Sequence, residues 1–224
     1  MNILLLGIGN VLWADEGFGV RVIERLQKSY RFPDQVKVMD GGTQGVYLVE
    51  HVQAAELLIV FDAIDYGLPP GTLKQIENDE VPNFLGAKKM SLHQTGFQEV
   101  LAMAQMLGRY PKHLLLIGVQ PEELDDYGGS LRPTVKAQIQ PAIDMAFTYL
   151  QTFGISAEST DTNNDLADPV LNIQRYEQER PSAAEACRIG DDRVLHTEGF
   201  ELRPPQQPAD ERTLQVDVDY RGKY

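Results

Sequence analysis

The chain has 224 residues, 42% of them hydrophobic, which is an ordinary composition for a globular protein large enough to bury one sizeable core. Its 33 acidic and 20 basic residues give a formal net charge of -13, which disfavours binding to nucleic acid or to an anionic membrane surface. A single cysteine, Cys187, cannot form an internal disulfide, and the apolar start lacks a basic n-region and is too short to span a bilayer, so we predict a cytoplasmic protein without membrane insertion.

Short apolar runs predict the strands of a sheet, in chain order over residues 3–6, 36–39, 57–61, 72–76 and 114–119. The Pro-Pro-Gly turn at residues 69–71 favours an edge position for the fourth of these strands. Apolar residues at helical spacing predict helices between the strands, over residues 18–26, 46–51, 95–107 and 133–150. The capping-box spacing of Thr95 and Gln98 indicates the start of the third helix, and Pro133 suits the first turn of the fourth.

Strands that alternate with helices indicate an α/β fold, a three-layer sandwich in which a mostly parallel twisted sheet carries helices on both faces. We assign this domain to residues 1–155. Residues 156–224 contain fifteen acidic and eight basic residues and several Asn, Gln and Pro clusters, which predicts an acidic, polar and largely irregular extension. Two alternating pieces of it, residues 193–202 and 214–220, predict short strands.

Candidate site residues follow from the rule that ligands of open α/β sheets bind outside the carboxyl ends of the strands. Polar residues follow each of the parallel strands, and one imidazole lies in the predicted loop before residue 95: Glu16, Asp40, Asp62, Asp125, Asp126 and His93. Carboxylate oxygens together with an imidazole nitrogen suit a borderline divalent metal ion. Each acid has a plainer interpretation as a turn former or as a partner of a helix dipole.

Two further kinds of site remain open at this point. Two close carboxylates at this edge would also suit the shared-proton chemistry of an aspartic protease. Gly7 and Gly9 after the first strand suggest a nucleotide site, but Leu12 stands where the third glycine of that fingerprint belongs.

Four sequence blocks resemble the nickel–iron hydrogenase maturation endopeptidases, in the order and approximate spacing of that family. They are GIGNVLWADEGFGVRVIERL, MDGGTQG, VFDAIDYG and SLHQTGF, at residues 7–26, 39–45, 60–67 and 91–97. The resemblance covers residues 1 to about 153. It implies an α/β protease that removes a short C-terminal peptide from the hydrogenase large-subunit precursor after the nickel–iron centre has been inserted.

The resemblance also assigns roles to individual residues. The metal-binding residues of the family match Glu16, Asp62 and His93, and its glycine-rich box for substrate choice matches Asp40, Gly41, Gly42 and Thr43. It implies nickel supplied by the precursor as the metal, for which zinc or another divalent ion could substitute in vitro. Asp62 and Glu16 are then the candidate catalytic carboxylates, with Asp40 as a candidate general base. The alternative is a chaperone that binds the nickel-loaded large subunit without cutting it.

Overall fold

The computed structural model describes residues 1–85, 92–160 and 172–179. Its main sheet contains five strands, and a separate antiparallel pair lies outside that sheet. In chain order the strands are β1 (Ile3–Ile8), β2 (Tyr30–Arg31), β3 (Val36–Gly42), β4 (Leu57–Ala63), β5 (Leu73–Glu77), β6 (His113–Val119) and β7 (Glu158–Ser159). The main sheet has the order β3-β1-β4-β6-β5, and every neighbouring pair in it is parallel except β5 and β6. The predicted edge position of β5 is therefore confirmed.

Helices cover both faces of the sheet, which confirms the predicted three-layer α/β sandwich. They are α1 (Phe18–Ser29), α2 (Val49–Ala54), α3 (Glu80–Leu85), α4 (Leu92–Met106), α5 (Pro133–Lys136), α6 (Ile139–Gln151) and α7 (Ile173–Glu179), with 3-10 turns at Ala14–Gly17 and Gly45–Leu48. One hydrophobic core lies between the sheet and helices α1 and α6, and a second lies between the sheet and helices α2 and α4.

The alternation of side chains along β1 and β4 explains why both faces are apolar. Ile59 and Phe61 belong to the core beneath α1 and α6, whereas Leu58 and Val60 belong to the core beneath α2 and α4. Since successive side chains of a strand point to opposite faces, Asp62 is directed to the face of α2 and α4. This placement decides which residues can share a site with it.

Helix α1 begins in direct contact with the sheet because two glycines leave no side chain between them. A Cβ added at Gly19 would overlap the carbonyl oxygens of Phe61 and Ile8, and one added at Gly7 would lie 2.6 Å from the side chain of Ile23. The close approach brings the turn Ala14–Gly17, which we call the Glu16 turn, to the carboxyl ends of β1 and β4.

Helix α4 begins earlier than predicted. It starts at Leu92 rather than at Thr95, so the backbone of His93 lies in the first turn of the helix and not in the loop before it. The capping-box pattern involves only two positions and recurs in this sequence, because Ser91 and Gln94 have the same spacing as Thr95 and Gln98.

The predicted helix over residues 133–150 is interrupted. It divides into α5 and α6 around Ala137 and Gln138. Pro141 supplies the physical reason, because its nitrogen cannot donate to the carbonyl of Ala137 and its ring crowds that carbonyl. Proline is tolerated in the first turn of α6, so the helix restarts there.

The chain divides into a compact unit, Met1–Pro181, and a second unit, Ser182–Tyr224. Helix α7 belongs to the first unit, so part of the polar tail is helical. The second unit, with Cys187 and the strands predicted at 193–202 and 214–220, lies outside the described residues. The boundary near residue 155 and the largely irregular tail stay predictions. In the part of the chain that the structure describes, no helix is long and apolar enough to cross a membrane.

Candidate functional site

Asp62 lies at the carboxyl end of β4, near the centre of the sheet. Gly7 pairs with Phe61, and Asp62 itself pairs with Gly118 of β6. The Asp62 side chain is only 3% exposed, and its Oδ1 accepts a hydrogen bond of 2.8 Å from the N–H of Ala63. A carboxylate held this deep is costly to desolvate and is typical of functional sites.

The Tyr66 hydroxyl occupies the space that a side chain at position 118 would fill. A Cβ added at Gly118 would overlap this oxygen, and Gly118 is the strand neighbour of Asp62. Burial, and then the charge of Asp62, raise the pKa of Tyr66 above its ordinary value of 10.0. Tyr66 therefore stays neutral beside Asp62. The sequence pattern did not indicate that Tyr66 lies beside Asp62, because an aromatic residue in such a position is usually part of a hydrophobic core.

Gln120 holds the loop that carries Tyr66. Its Oε1 accepts hydrogen bonds from the N–H groups of Tyr66 (2.7 Å) and Leu68 (3.1 Å), and its Nε2 donates to Asp65 Oδ1 at 3.0 Å. The loop after β4 is thus tied to the end of β6, next to Asp62.

Glu16 reaches the same edge through the packing of its turn. A Cβ at Gly9 would overlap the carbonyl oxygen of Glu16, and Gly9 itself has a φ of 138°, which favours glycine. The main chain of the Glu16 turn therefore lies on Gly9, just beyond β1. The Cβ positions of Gly7 and Gly9 are occupied by this turn and by α1, so close packing explains both glycines without a bound nucleotide.

Asp15, adjacent to Glu16, is fully buried and anchors the Glu16 turn. Its Oδ2 accepts hydrogen bonds from the N–H groups of Glu122 and Glu123, both at 2.9 Å, and its Oδ1 accepts one of 2.7 Å from Arg132. We call residues 121–132, which supply these donors, the anchor loop. In the sequence, the position of Asp15 just before a predicted helix indicated only a favourable interaction of its charge with the helix dipole.

Replacement of Asp15 by Ala is expected to lower the free energy of unfolding by about 2–4 kcal/mol, because three partly buried N–H groups lose a charged and fully buried acceptor. Urea unfolding followed by circular dichroism measures this change. Asp144→Ala is a matched control on the surface of α6, and its effect should be much smaller. A loss below about 1 kcal/mol for Asp15→Ala would contradict the anchoring role.

Helix α4 brings the backbone of His93 to the same end of the sheet. A Cβ added at Gly96, one turn further along α4, would lie 3.6 Å from Cα of Gly45 in the turn after β3. The first turn of α4 is therefore close to the carboxyl end of β3. The side chain of His93 lies outside the described residues, so its role as a ligand stays a prediction.

Asp40 lies on the other face of the sheet from Asp62. Packing around its carboxyl group removes hydration and raises its pKa, while a hydrogen bond from the Gly42 N–H (2.8 Å) and the charge of Arg21 act in the opposite direction. Arg21 belongs to α1, whereas Asp62 is directed to the face of α2 and α4. The structure does not bring Asp40 and Asp62 together on one face, and the role of Asp40 as general base stays a prediction.

Asp125 and Asp126, at the end of β6, have local partners. Asp126 is buried and forms an ion pair of 2.9 Å with Arg132. Asp125 is exposed, and its N–H donates to Glu123 Oε1. Both lie in the anchor loop, where Asp126 has a structural role.

The donor set at this edge suits a divalent metal only if His93 joins it. Among the residues whose side chains are described, no three carboxylate, imidazole or thiol groups cluster closely enough to bind a metal ion. Glu16 and Asp62 alone provide two carboxylates, fewer than a closed protein site requires. Two carboxylates and one imidazole fit a borderline ion such as nickel or zinc, with positions left for other ligands.

Exposed apolar side chains surround this edge, and the sequence pattern did not single them out. They lie on loops after β1, β3, β4 and β6: Leu12, Val46, Tyr47, Leu68 and Tyr127. Tyr47 is 79% exposed, and Tyr127 stacks edge-on against Trp13 with 5.2 Å between ring centroids. Exposed apolar side chains that gather at one edge of a molecule are typical of a surface that binds protein.

Comparison with known proteins gives a consistent result. A family model described as hydrogenase maturation protease matches residues 20–149. The hydrogenase expression/formation protein HupD of Thiocapsa roseopersicina is 60% identical over 215 residues, which cover 94% of this chain and 97% of that protein. The hydrogenase 2 maturation protease of Escherichia coli K12 is 40% identical over 74% of this chain and 100% of its own length.

The same likeness holds for solved structures. The hydrogenase maturating endopeptidase HybD from E. coli superimposes with a TM-score of 0.67 at 40% identity, over 71% of this chain and 98% of that chain. The likeness to HupD extends into the tail, because residues 161–224 form more than a quarter of this chain and 94% of the chain is covered. Most of the tail therefore has a counterpart in HupD, although the tail lay outside the blocks that carried the resemblance.

Proposed function

This chain belongs to the hydrogenase maturation protease family, and on that premise we propose that it removes a short C-terminal peptide from a nickel–iron hydrogenase large-subunit precursor after nickel insertion. Membership makes the protein a hydrolase of the endopeptidase class. The observation that supports the location of the site is the buried Asp62 carboxylate, at the edge where the Glu16 turn and the first turn of α4 also lie.

In this proposal nickel is part of the substrate and arrives with the precursor. Glu16, Asp62 and His93 complete the coordination of that nickel from the protease side. A site with few protein ligands binds free metal weakly but gains affinity when the substrate supplies the remaining ligands. The protease would then bind the precursor tightly only after nickel has been inserted. Zinc or another divalent ion in the precursor could be recognised in the same way.

Two mechanisms of peptide-bond cleavage are compatible with the residues around Asp62. The buried Tyr66 side chain lies beside Gly118, the strand neighbour of Asp62, and would help to exclude water from this carboxylate. The metal in the precursor, when bound, would polarise a carbonyl or activate water. The second candidate mechanism uses Asp62 and Glu16 as an aspartic-type carboxylate pair.

Substrate choice is proposed for the glycine-rich box, Asp40–Thr43. Gly42 adopts a φ of 45°, and a Cβ at Gly41 would lie 2.8 Å from the Leu6 side chain, so neither position accepts a side chain readily. Gly41 packs on the core, whereas the Cβ position of Gly42 is open, so the backbone at Gly42 could lie close to an incoming peptide. The exposed apolar residues around the edge would contact the body of the large subunit, in the cytoplasm.

The test uses purified protein with purified precursor in two forms, with and without nickel, and measures the product by intact mass. We expect a loss of mass equal to a short C-terminal peptide only for the nickel-loaded precursor. A precursor loaded with zinc separates recognition of nickel from recognition of any divalent ion. Equal cleavage of the metal-free precursor would contradict metal-dependent recognition. Stable binding of the nickel-loaded precursor without any product would instead indicate the chaperone alternative.

A further inference from the structure

A short piece of the tail packs against the two segments that hold the Glu16 turn. This piece, residues 172–179, consists of buried Asn172 and helix α7, and we call it the clasp. The HybD structure from E. coli covers too little of this chain to include most of the tail, whereas HupD covers nearly all of it. The clasp lies outside residues 20–149, the part of the chain that the family model matches.

On one side the clasp contacts helix α1, which follows directly after the Glu16 turn. The N–H of Ile173 donates to Glu24 Oε1 at 3.1 Å, and the Tyr176 ring lies beneath the Arg21 guanidinium, 5.6 Å from it. Arg21 is only 5% exposed and forms an ion pair of 2.8 Å with Glu24. The clasp thus rests on a buried charged pair one to two turns from Glu16.

On the other side the clasp contacts the end of the anchor loop and helix α5. Tyr176 Oη donates to the carbonyl of Gly129 at 3.3 Å. Glu177 accepts a hydrogen bond of 2.8 Å from Ser130 Oγ and forms an ion pair of 2.7 Å with Lys136. These contacts flank Arg132, whose N–H donates to Asp15.

The contacts therefore form a continuous path from the clasp to Glu16. The clasp holds residues 129–136, Arg132 in that segment holds Asp15, and Asp15 precedes Glu16 in the same turn. The clasp also holds α1 at the other end of the turn. A small displacement of a group that contacts the reacting atoms can reduce activity strongly.

We infer that the clasp is a positioning element that holds the Glu16 turn in the geometry required to engage the precursor, an inference that rests on the proposed function. Tyr176 and Glu177 are positioning residues that act through the anchor loop and Asp15. They do not contact the precursor themselves. Loss of the clasp contacts should consequently raise KM for the precursor while it changes Tm only slightly.

The experiment uses the full chain and a charge exchange across the Lys136–Glu177 pair. Glu177→Lys should raise KM for nickel-loaded precursor about tenfold, with little change in Tm, because the pair is partly exposed and contributes little stability. Lys136→Glu combined with Glu177→Lys restores the opposite charges and should return KM to within about twofold of the original protein. Gln178→Ala, on the exposed side of α7, is the matched control and should leave KM unchanged.

Hydrogen exchange gives a readout that does not depend on activity. Glu177→Lys should increase the rate of hydrogen exchange at the Arg132 amide, and the double variant should return this rate to that of the original protein. The amides of β4 should keep their protection in both variants. Tyr176→Phe removes only the hydroxyl and should show the same local effect to a smaller extent, so it replaces Glu177→Lys if that variant does not fold.

The outcomes separate the two proposals. If the original protein fails to cleave nickel-loaded precursor, the proposed function fails. If it cleaves normally and the clasp variants show unchanged KM and unchanged Arg132 exchange, the inference about the clasp is wrong. A fall in Tm with no change in KM would also overturn it, because that result would indicate a purely structural role.

Discussion

Replacement of Asp62 by Asn is expected to reduce cleavage of nickel-loaded precursor by at least about a hundredfold while the protein remains folded. The amide keeps an oxygen that can accept the hydrogen bond from Ala63, so the local structure is retained. It removes the negative charge, which both candidate mechanisms require. Initial rates followed by product mass, together with Tm for folding, measure the effect.

Asp65→Asn is the matched control for this experiment. It is the same chemical change in the loop directly after β4, on an exposed side chain whose Oδ1 accepts from Gly67 and Gln120. Cleavage should stay within about threefold of the original protein, as is usual for surface changes. If Asp62→Asn and Asp65→Asn both cleave at the original rate, Asp62 has no role in the reaction.

Replacement of Gly19 by Ala is expected to lower the free energy of unfolding by at least about 4 kcal/mol. The added Cβ would overlap carbonyl oxygens of both β1 and β4 and would lie 2.8 Å from the Ile8 nitrogen. These atoms are backbone of the central strands and cannot rotate away, so α1 must move off the sheet. Urea unfolding measures the change.

Gly96→Ala provides the opposite expectation in another helix. Its Cβ would make only an ordinary contact of 3.6 Å, and alanine is favoured over glycine in a helix by about 1 kcal/mol. Gly96→Ala should therefore leave stability unchanged or raise it by up to about that amount. Equal effects of Gly19→Ala and Gly96→Ala would contradict the close packing of α1 on the sheet.

Hydrophobic patterning was sufficient for the strands and the layers. The run at residues 57–61 predicted a strand, and β4 is indeed a strand that is buried on both faces. Local signals were less reliable at helix ends. The capping pattern at Thr95 placed the start of α4 one turn too late, and periodicity alone concealed the break that Pro141 causes. The first error arose because a two-residue pattern also occurs inside helices, and the second because apolar spacing is insensitive to a missing N–H donor.

The sequence by itself determined the α/β class and the family blocks that contain Glu16, Asp62 and His93, and it predicted a site at the carboxyl edge of the sheet. These follow from local periodicity and from short segments, which do not depend on distant contacts. Only the tertiary structure decided that Asp40 and Asp62 lie on opposite faces, and that Asp15 accepts three hydrogen bonds from residues more than one hundred positions away. It also decided that part of the polar tail packs beside the Glu16 turn. Such contacts depend on chain segments that meet only when the sheet and helices have assembled, so composition and spacing do not encode them visibly.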